Sequence, residues 1–246
     1  MKKTVLSNRL QAIAKMVTMG NTVADVGTDH GFVPLFLLEN GYIPSAIAMD
    51  INKGPLEKAK RNFEKKGVEG VEYRLSDGLD KLMPHEVESI VICGMGGLLI
   101  KQILEKGYDV WQSCHEVILS PQSDIGCVRK YVLENGFCIT KERMIYEEDK
   151  FYTIIKAKRG NEQTLYSPME YQFGRMIEKG DEGIRNHFIR SEQNKLLRAY
   201  IHVQEEMISL LSNALVDQER LAKMTTRKHE LAEELVFIEE FFRRTD

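Results

Sequence analysis

Seven residues early in the chain, Asp25-Val26-Gly27-Thr28-Asp29-His30-Gly31, have the types and spacing of a cofactor turn. An apolar strand, Thr22–Val26, runs into them, and a helical pattern resumes at Val33. Glycines in such a turn let a ligand approach the backbone, while the helix behind it offers unpaired N–H groups. Nucleotide-type cofactors use this arrangement. Asp29 narrows the choice. A carboxylate at the helix start repels a pyrophosphate and attracts an ammonium group.

The spacing resembles the D/E-x-G-x-G-x-G first motif of S-adenosylmethionine enzymes, with Asp29 standing where the middle glycine is expected. The methionyl ammonium of that cofactor suits the substitution. Asp50 closes the next strand, where a carboxylate holds ribose hydroxyls in NAD and S-adenosylmethionine folds alike. Asp77-Gly78 ends the third strand. An acid there suits an adenine amino group, or else caps a helix. Gly94-Met95-Gly96-Gly97 follows the fourth strand, where reacting groups meet in such folds. Many amino-methylating enzymes carry a polar Asp/Asn-Pro-Pro-aromatic motif at that point, and here there is neither Asn nor Pro. The glycines would admit a planar base, with Met95 lining its face; a plain glycine-rich helix start is the other reading.

Together these motifs resemble the bacterial tRNA (adenine(22)-N1)-methyltransferase family. The likeness runs through Leu6-Ser7-Asn8-Arg9-Leu10, the Asp25–Gly31 turn, Gly94–Gly97, Ser120-Pro121-Gln122, Phe151-Tyr152 and a helical tail. It implies S-adenosylmethionine as donor and N1 of a D-loop adenine in tRNA as acceptor. N1 carries an in-plane lone pair and attacks the methyl in line without prior deprotonation, once the base leaves its stack. Positive charge then spreads over N1 and N6, so a nearby carboxylate helps and can take the eventual proton. Asp29 is the candidate for that role, or for binding the methionyl ammonium. Asp124 is a weaker candidate that also reads as a helix N-cap. Cofactor contacts are expected from Asp25, Gly27, Asp29, His30, Gly31, Asp50, Asp77, Gly78, Gly94 and Met95. Acceptor contacts are expected from Arg9, Gly96, Gln122 and Tyr152. The competing reading is a methyltransferase for a small molecule or protein, its tail serving dimerisation.

Composition bounds these readings. The chain has 246 residues, 43% of them apolar, enough for a full α/β core and a long additional segment. No apolar run approaches the ~20 residues that cross a bilayer. Lys2 and Lys3 open like a signal peptide, but Leu6-Ser7-Asn8-Arg9 interrupts the apolar region, so a cytoplasmic protein is expected. Cys93, Cys114, Cys127 and Cys138 form no C-x-x-C pair and the histidines are dispersed, which points to reduced thiols and no metal site. A net charge of −3 does not decide on a nucleic-acid partner. Arg9, Lys15, Lys53, Lys58, Lys60, Arg61, Lys65 and Lys66 make the first and third helices basic, and the tail adds Arg185, Arg190, Lys195 and Arg198. Phosphate binding needs such clusters, although solvated helix faces look the same.

Positioning these residues requires a scaffold, and the hydrophobic pattern supplies one. Leu6 precedes a Ser7 cap, and Leu10, Ile13, Ala14 and Val17 recur at helical spacing up to Gly20. Strands at Ser45–Met49, Val71–Leu75, Ile90–Cys93 and Glu116–Leu119 alternate with helices at Val33–Glu39, Pro55–Lys66, from beyond Gly97 to Glu105, and at Val128–Glu134. That alternation predicts a mostly parallel, Rossmann-like class I methyltransferase sheet with helices on both faces. Phe137–Tyr146 and Phe151–Ala157 lie too close for a crossover and must form an antiparallel hairpin. The cofactor domain is expected to span residues 1–160. A polar linker, Asn161–Pro168, then leads into an α-helical domain over 161–246. Its helices, Arg185–Leu215 and Gln218–Arg243, read as an antiparallel coiled coil joined at Val216-Asp217. The predicted seam uses Leu197, Ile201, Ile208, Leu211 and Leu215 against Leu221, Met224, Leu231, Leu235, Ile238 and Phe242. Such a hairpin closes on itself in a monomer or pairs weakly between chains.

Overall fold

The alternating faces of the apolar runs build the centre of the molecule. In the computed structural model, which describes residues 3–162, 164–177, 180–212 and 217–245, the chain opens with α1 (Asn8–Met16). Then follow β1 (Val23–Val26), α2 (Phe32–Glu39), β2 (Ala46–Asp50), α3 (Lys53–Lys66), β3 (Val71–Leu75) and β4 (Ser89–Cys93). Next come α4 (Gly97–Lys106), α5 (Tyr108–Ser113), β5 (Glu116–Ser120), α6 (Ile125–Glu134), β6 (Phe137–Glu147) and β7 (Lys150–Arg159). Lys2, Leu215 and Val216 lie outside the described residues.

The strands form one seven-stranded sheet in the order β3-β2-β1-β4-β5-β7-β6. β3, β2, β1, β4 and β5 pair in parallel, and β7 runs antiparallel to both β5 and β6. This is the expected architecture, hairpin included. Ala24, Val26, Ile90, Ile92, Val117 and Leu119 point to one face, packed against α4, α5 and α6 through Ile100, Leu104, Trp111 and Val128. Val23, Val91, Ile118 and Ile154 point to the other, packed against Ile13, Met16, Val33 and Leu37 of α1 and α2. A sheet covered on both faces explains why its central strands read as continuous apolar runs.

The first compact unit extends further than the sequence pattern indicated. The expected break after Gly160 falls instead after Asp181, with the second unit covering Glu182–Asp246. The described residues between 161 and 181 belong with the sheet because they complete a buried charge network. Arg129 and Glu142 are fully buried and paired at 2.7 Å. Arg129 also donates to the carbonyls of Tyr171 at 2.6 Å and Gln172 at 2.9 Å. Both lie in α7 (Pro168–Phe173), an unpredicted helix that begins at the last residue of the expected linker. Its capping box, Ser167 with Glu170 and Pro168 at the first turn, was readable in the sequence. Asp181 closes the segment by accepting from Arg143 at 2.6 Å and from the Met144 amide at 3.0 Å.

In the second unit, α8 (Glu182–Leu211) and α9 (Gln218–Thr245) pair antiparallel. Arg190 lies over Phe242, Lys228 over Tyr200, and Arg220 approaches Glu206 at 3.8 Å, so rising numbers on one helix meet falling numbers on the other. The predicted α9 stripe faces inward, with Leu231 and Ile238 buried. The predicted α8 stripe is one position out of phase. Leu197, Ile201, Ile208 and Leu211 are about half exposed, whereas Leu196, Tyr200, Val203, Met207 and Leu210 are the covered residues.

Candidate active site

The order of the strands fixes where a ligand fits. β1 connects towards β2 on one side, while its other neighbour β4 connects towards β5, so a crevice opens at their carboxyl ends. A cavity of about 560 Å³ lies there, lined by Arg9, Leu10, Asp25, Gly27, Asp29, Phe32, Val33, Asp50, Cys93, Gly94, Met95 and Gln122. Its size is that of ordinary small-ligand sites.

The turn after β1 carries the charge. Gly27 has φ +74°, and its amide and that of Thr28 donate to the Met49 carbonyl at the end of β2. Asp25 is buried and accepts from the Thr28 hydroxyl at 2.5 Å. Burial pushes the Asp25 carboxyl up to about 6; the Thr28 bond works against the rise and the charge of Asp50 adds to it. Asp29 is three-quarters exposed at the mouth, 3.4 Å from the His30 ring. His30 sits at φ +63°, its carbonyl accepts from Asn62 at 3.0 Å, and its ring stacks on Phe32 at 5.2 Å. Gly31 takes φ +64° at the start of α2, where a Cβ would press on Ala59 and Phe63 of α3. Asp50 accepts from the Asn52 amide at 2.7 Å.

The other wall joins two motifs that are far apart in the sequence. Gly94 donates to the Ser120 carbonyl at 3.2 Å, Gln122 to the Met95 carbonyl at 2.9 Å, and Gly97 to the Ser123 carbonyl at 3.0 Å. The loops after β4 and β5 are thus zipped together, and a side chain at Gly97 would overlap the Ser123 carbonyl. This zipper carries Met95 and Gln122 into the cavity, with Gly96 beside Ser123.

Eight expected residues therefore converge as lining: Arg9, Asp25, Gly27, Asp29, Asp50, Gly94, Met95 and Gln122. His30 and Gly31 support the turn from just outside. Tyr152 also stands outside the lining but carries the Arg9 guanidinium 4.7 Å above its ring. The Asp77 carboxylate, expected at an adenine, is instead held by Lys106 at 3.0 Å, and Gly78 packs against Ile103. Asp124 starts α6 at φ +49° and accepts from the Ser123 hydroxyl rather than from a helix amide. Neither Asp77 nor Asp124 lines the cavity. Leu10, Phe32, Val33 and Cys93 do line it and were not anticipated. Phe32 had one signal, an aromatic directly after the last glycine of the turn. Among the described residues no cluster of ligating side chains fit for a metal occurs, and no described helix is long and apolar enough to cross a membrane.

Of the tail cations, Arg185 is buried, but Arg190, Lys195 and Arg198 line a groove along α8 with His187, Ser191 and Asn194. On α3, Lys60 pairs with Glu64 and Lys66 with Glu39 at 3.7–4.0 Å, so part of that basic face is neutralised.

The cavity fits S-adenosylmethionine. A desolvated Asp25, with Asp29 and Asp50 beside it, is a surplus of acid that a cation would balance. Gly27 keeps the backbone open where a Cβ would collide with the Met95 methyl.

Comparisons with known proteins agree. The methyltransferase domain family matches residues 6–155. The tRNA (adenine(22)-N(1))-methyltransferase of Bacillus subtilis is 29% identical over 95% of this chain and 98% of its own. A tRNA (m1A22) methyltransferase of Streptococcus pneumoniae, described as putative and solved with S-adenosyl-L-methionine, is 30% identical over 94% of this chain and 100% of its own, with a TM-score of 0.76. An M. capricolum relative solved with S-adenosyl-homocysteine gives 25% identity and a TM-score of 0.74 over 95% of this chain and 99% of its own. The chain has the methyltransferase domain, and with its likeness to these relatives over nearly its whole length it belongs to the bacterial tRNA (adenine(22)-N1)-methyltransferase family.

Proposed function

We propose that the chain methylates N1 of adenine 22 in the D-loop of tRNA, with S-adenosylmethionine as donor. The observation that carries this reading is the grouping of Asp25, Asp29 and Asp50 around the Gly27 turn, in a crevice that also holds Met95, Gln122 and Arg9. When bound, S-adenosylmethionine supplies an electrophilic methyl group on a sulfonium. Asp25 and Asp29 would take the methionyl ammonium, and Asp50 the ribose hydroxyls, since one of its oxygens is already engaged by Asn52. Asp77 would exchange Lys106 for the adenine amino group of the donor.

On the acceptor side, Gly94, Met95 and Gly96 form a low wall on which a planar base can lie. Gln122 presents both a donor and an acceptor, which suits the Watson–Crick edge of a base drawn out of its stack. N1 needs no general base to attack. The proton that later leaves N6 needs an acceptor, and Asp29, exposed at the mouth, supplies one. Arg9 and Tyr152 meet the nucleotide at the entrance, and the D-arm continues onto basic helix faces. The enzyme acts in the cytoplasm, as a monomer or weak dimer.

Incubation of the purified protein with labelled S-adenosylmethionine and unmodified tRNA tests the reading. Digested tRNA is expected to contain 1-methyladenosine by mass spectrometry. Its absence, with the protein folded and cofactor bound, would refute it.

A further inference from the structure

Among the described residues, Arg9 is the one cation that lines the cavity, which it shares with Asp25, Asp29 and Asp50. Its charge is felt as deep as the Cys93 thiol at the end of β4, where burial raises the pKa and Arg9 opposes the rise. A long side chain from the first turn of a short helix needs anchoring to stay in such a place.

The β6–β7 hairpin anchors it twice. Tyr152 of β7 lies under the guanidinium, 4.7 Å from ring centre to cation. Glu147, the last residue of β6, accepts from the backbone amides of Asn8 at 2.9 Å and Arg9 at 3.4 Å. These amides open α1, whose first turn carries no acid of its own and whose Ser7 cap reaches only the Leu10 amide. Glu147 therefore supplies, from 139 and 138 positions away, the negative charge that the helix start calls for.

The turn that presents Glu147 is strained. Glu148 and Asp149, its two central residues, stand at φ +50° and +58°. Two-residue hairpins of this hand favour Asn-Gly, yet two acids occupy these places. Asp149 is tied down by the Tyr146 hydroxyl at 3.1 Å. Such backbone persists only where the surrounding structure holds it.

We propose that Glu147 is a positioning residue: by seating the first turn of α1 on the hairpin, it holds the Arg9 guanidinium on Tyr152 at the cavity mouth, ready for the phosphate next to the acceptor base. The phosphate role rests on the tRNA reading above; the seating of Arg9 does not. Glu147 itself is not among the residues that line the cavity.

The test uses full-length Glu147→Ala and Glu147→Gln proteins. Methyl transfer is expected to show KM for tRNA raised about tenfold with kcat changed less than about twofold, and calorimetric affinity for S-adenosylmethionine unchanged. Arg9→Ala should raise KM similarly, and the double variant should be no worse than Arg9→Ala alone, because the two residues act as one unit. Full additivity, an unchanged KM, or an equal loss of cofactor affinity would overturn the proposal. A second readout is independent of the acceptor: the NMR resonance of the Arg9 Nε–H, shifted by the Tyr152 ring, should move towards that of a free arginine in both Glu147 variants. An unmoved resonance overturns the proposal even if tRNA is methylated. If wild-type protein leaves tRNA unmodified, the tRNA reading fails, and the resonance still decides whether Glu147 seats Arg9.

Discussion

The methyl end of Met95 rests over Gly27, in the space that a Cβ at position 27 would claim. The contact joins the turn after β1 to the loop after β4, so the donor and acceptor walls of the cavity meet at a glycine. With φ at +74°, Gly27 also uses backbone geometry that costs any other L-residue ~1–2 kcal/mol. Gly27→Ala is expected to lower cofactor affinity by at least ~tenfold in calorimetry. Adding Met95→Ala should recover part of that loss, by removing the collision but not the backbone cost. Full affinity in Gly27→Ala would mean that this turn does not hold the cofactor.

Asp25 sets a pH dependence. Its carboxyl titrates near 6 in the free protein because it is buried, with Thr28 opposing and Asp50 adding to the rise. Since the folded value lies above the unfolded one, the free protein keeps this contribution to stability below about pH 4 and loses it as pH rises through about 6. A cationic ligand prefers the ionised form. Affinity for S-adenosylmethionine should therefore rise from pH 5 to pH 7 and flatten above. Asp25→Asn should melt higher than wild type at pH 8 without ligand, bind the cofactor more weakly, and lose the pH slope. A slope unchanged in Asp25→Asn would place the titration elsewhere.

Asp29 is expected to be indispensable to turnover, and calorimetry separates its two possible tasks. If it holds the methionyl ammonium, Asp29→Ala loses cofactor affinity by ~1.5–3 kcal/mol, the range for hydrogen bonds to charged groups. If it takes the proton from N6, affinity stays and only turnover falls. Wild-type turnover in Asp29→Ala would remove both.

Residues 161–181 are expected to be part of the first unit's stability. A chain ending at Gly160 strips Arg129 of the Tyr171 and Gln172 carbonyls and uncovers its pair with Glu142. It should melt well below a chain ending at Asp181. In the full protein, Glu142→Ala leaves a buried guanidinium uncompensated, at a cost of ~3–5 kcal/mol in urea unfolding. Equal melting temperatures for the two truncations would contradict this assignment.

These examples show what was legible in the sequence. The strand-end motifs were, because the parallel order of the sheet brings carboxyl ends together, and Asp25, Asp29, Asp50 and Met95 each lie at or just beyond the carboxyl end of a strand. Val33 and Cys93 were not, since apolar residues beside a cavity have the same pattern as core residues. Lys106 was out of reach because it lies 29 positions from the Asp77 it neutralises. The phase of α8 is hidden in the sequence for a different reason. Leu196 and Leu197, and Tyr200 and Ile201, offer two apolar stripes of equal period, and only packing against α9 selects between them. α7 was missed despite its capping box, because a six-residue helix has too few turns to show a period.

The most direct test of the account is methylation of a tRNA transcript and a second transcript in which adenine 22 is replaced by guanine. Digestion and mass spectrometry should find 1-methyladenosine in the first and none in the second. Equal methyl incorporation into both transcripts would contradict the assignment of adenine 22 as the acceptor.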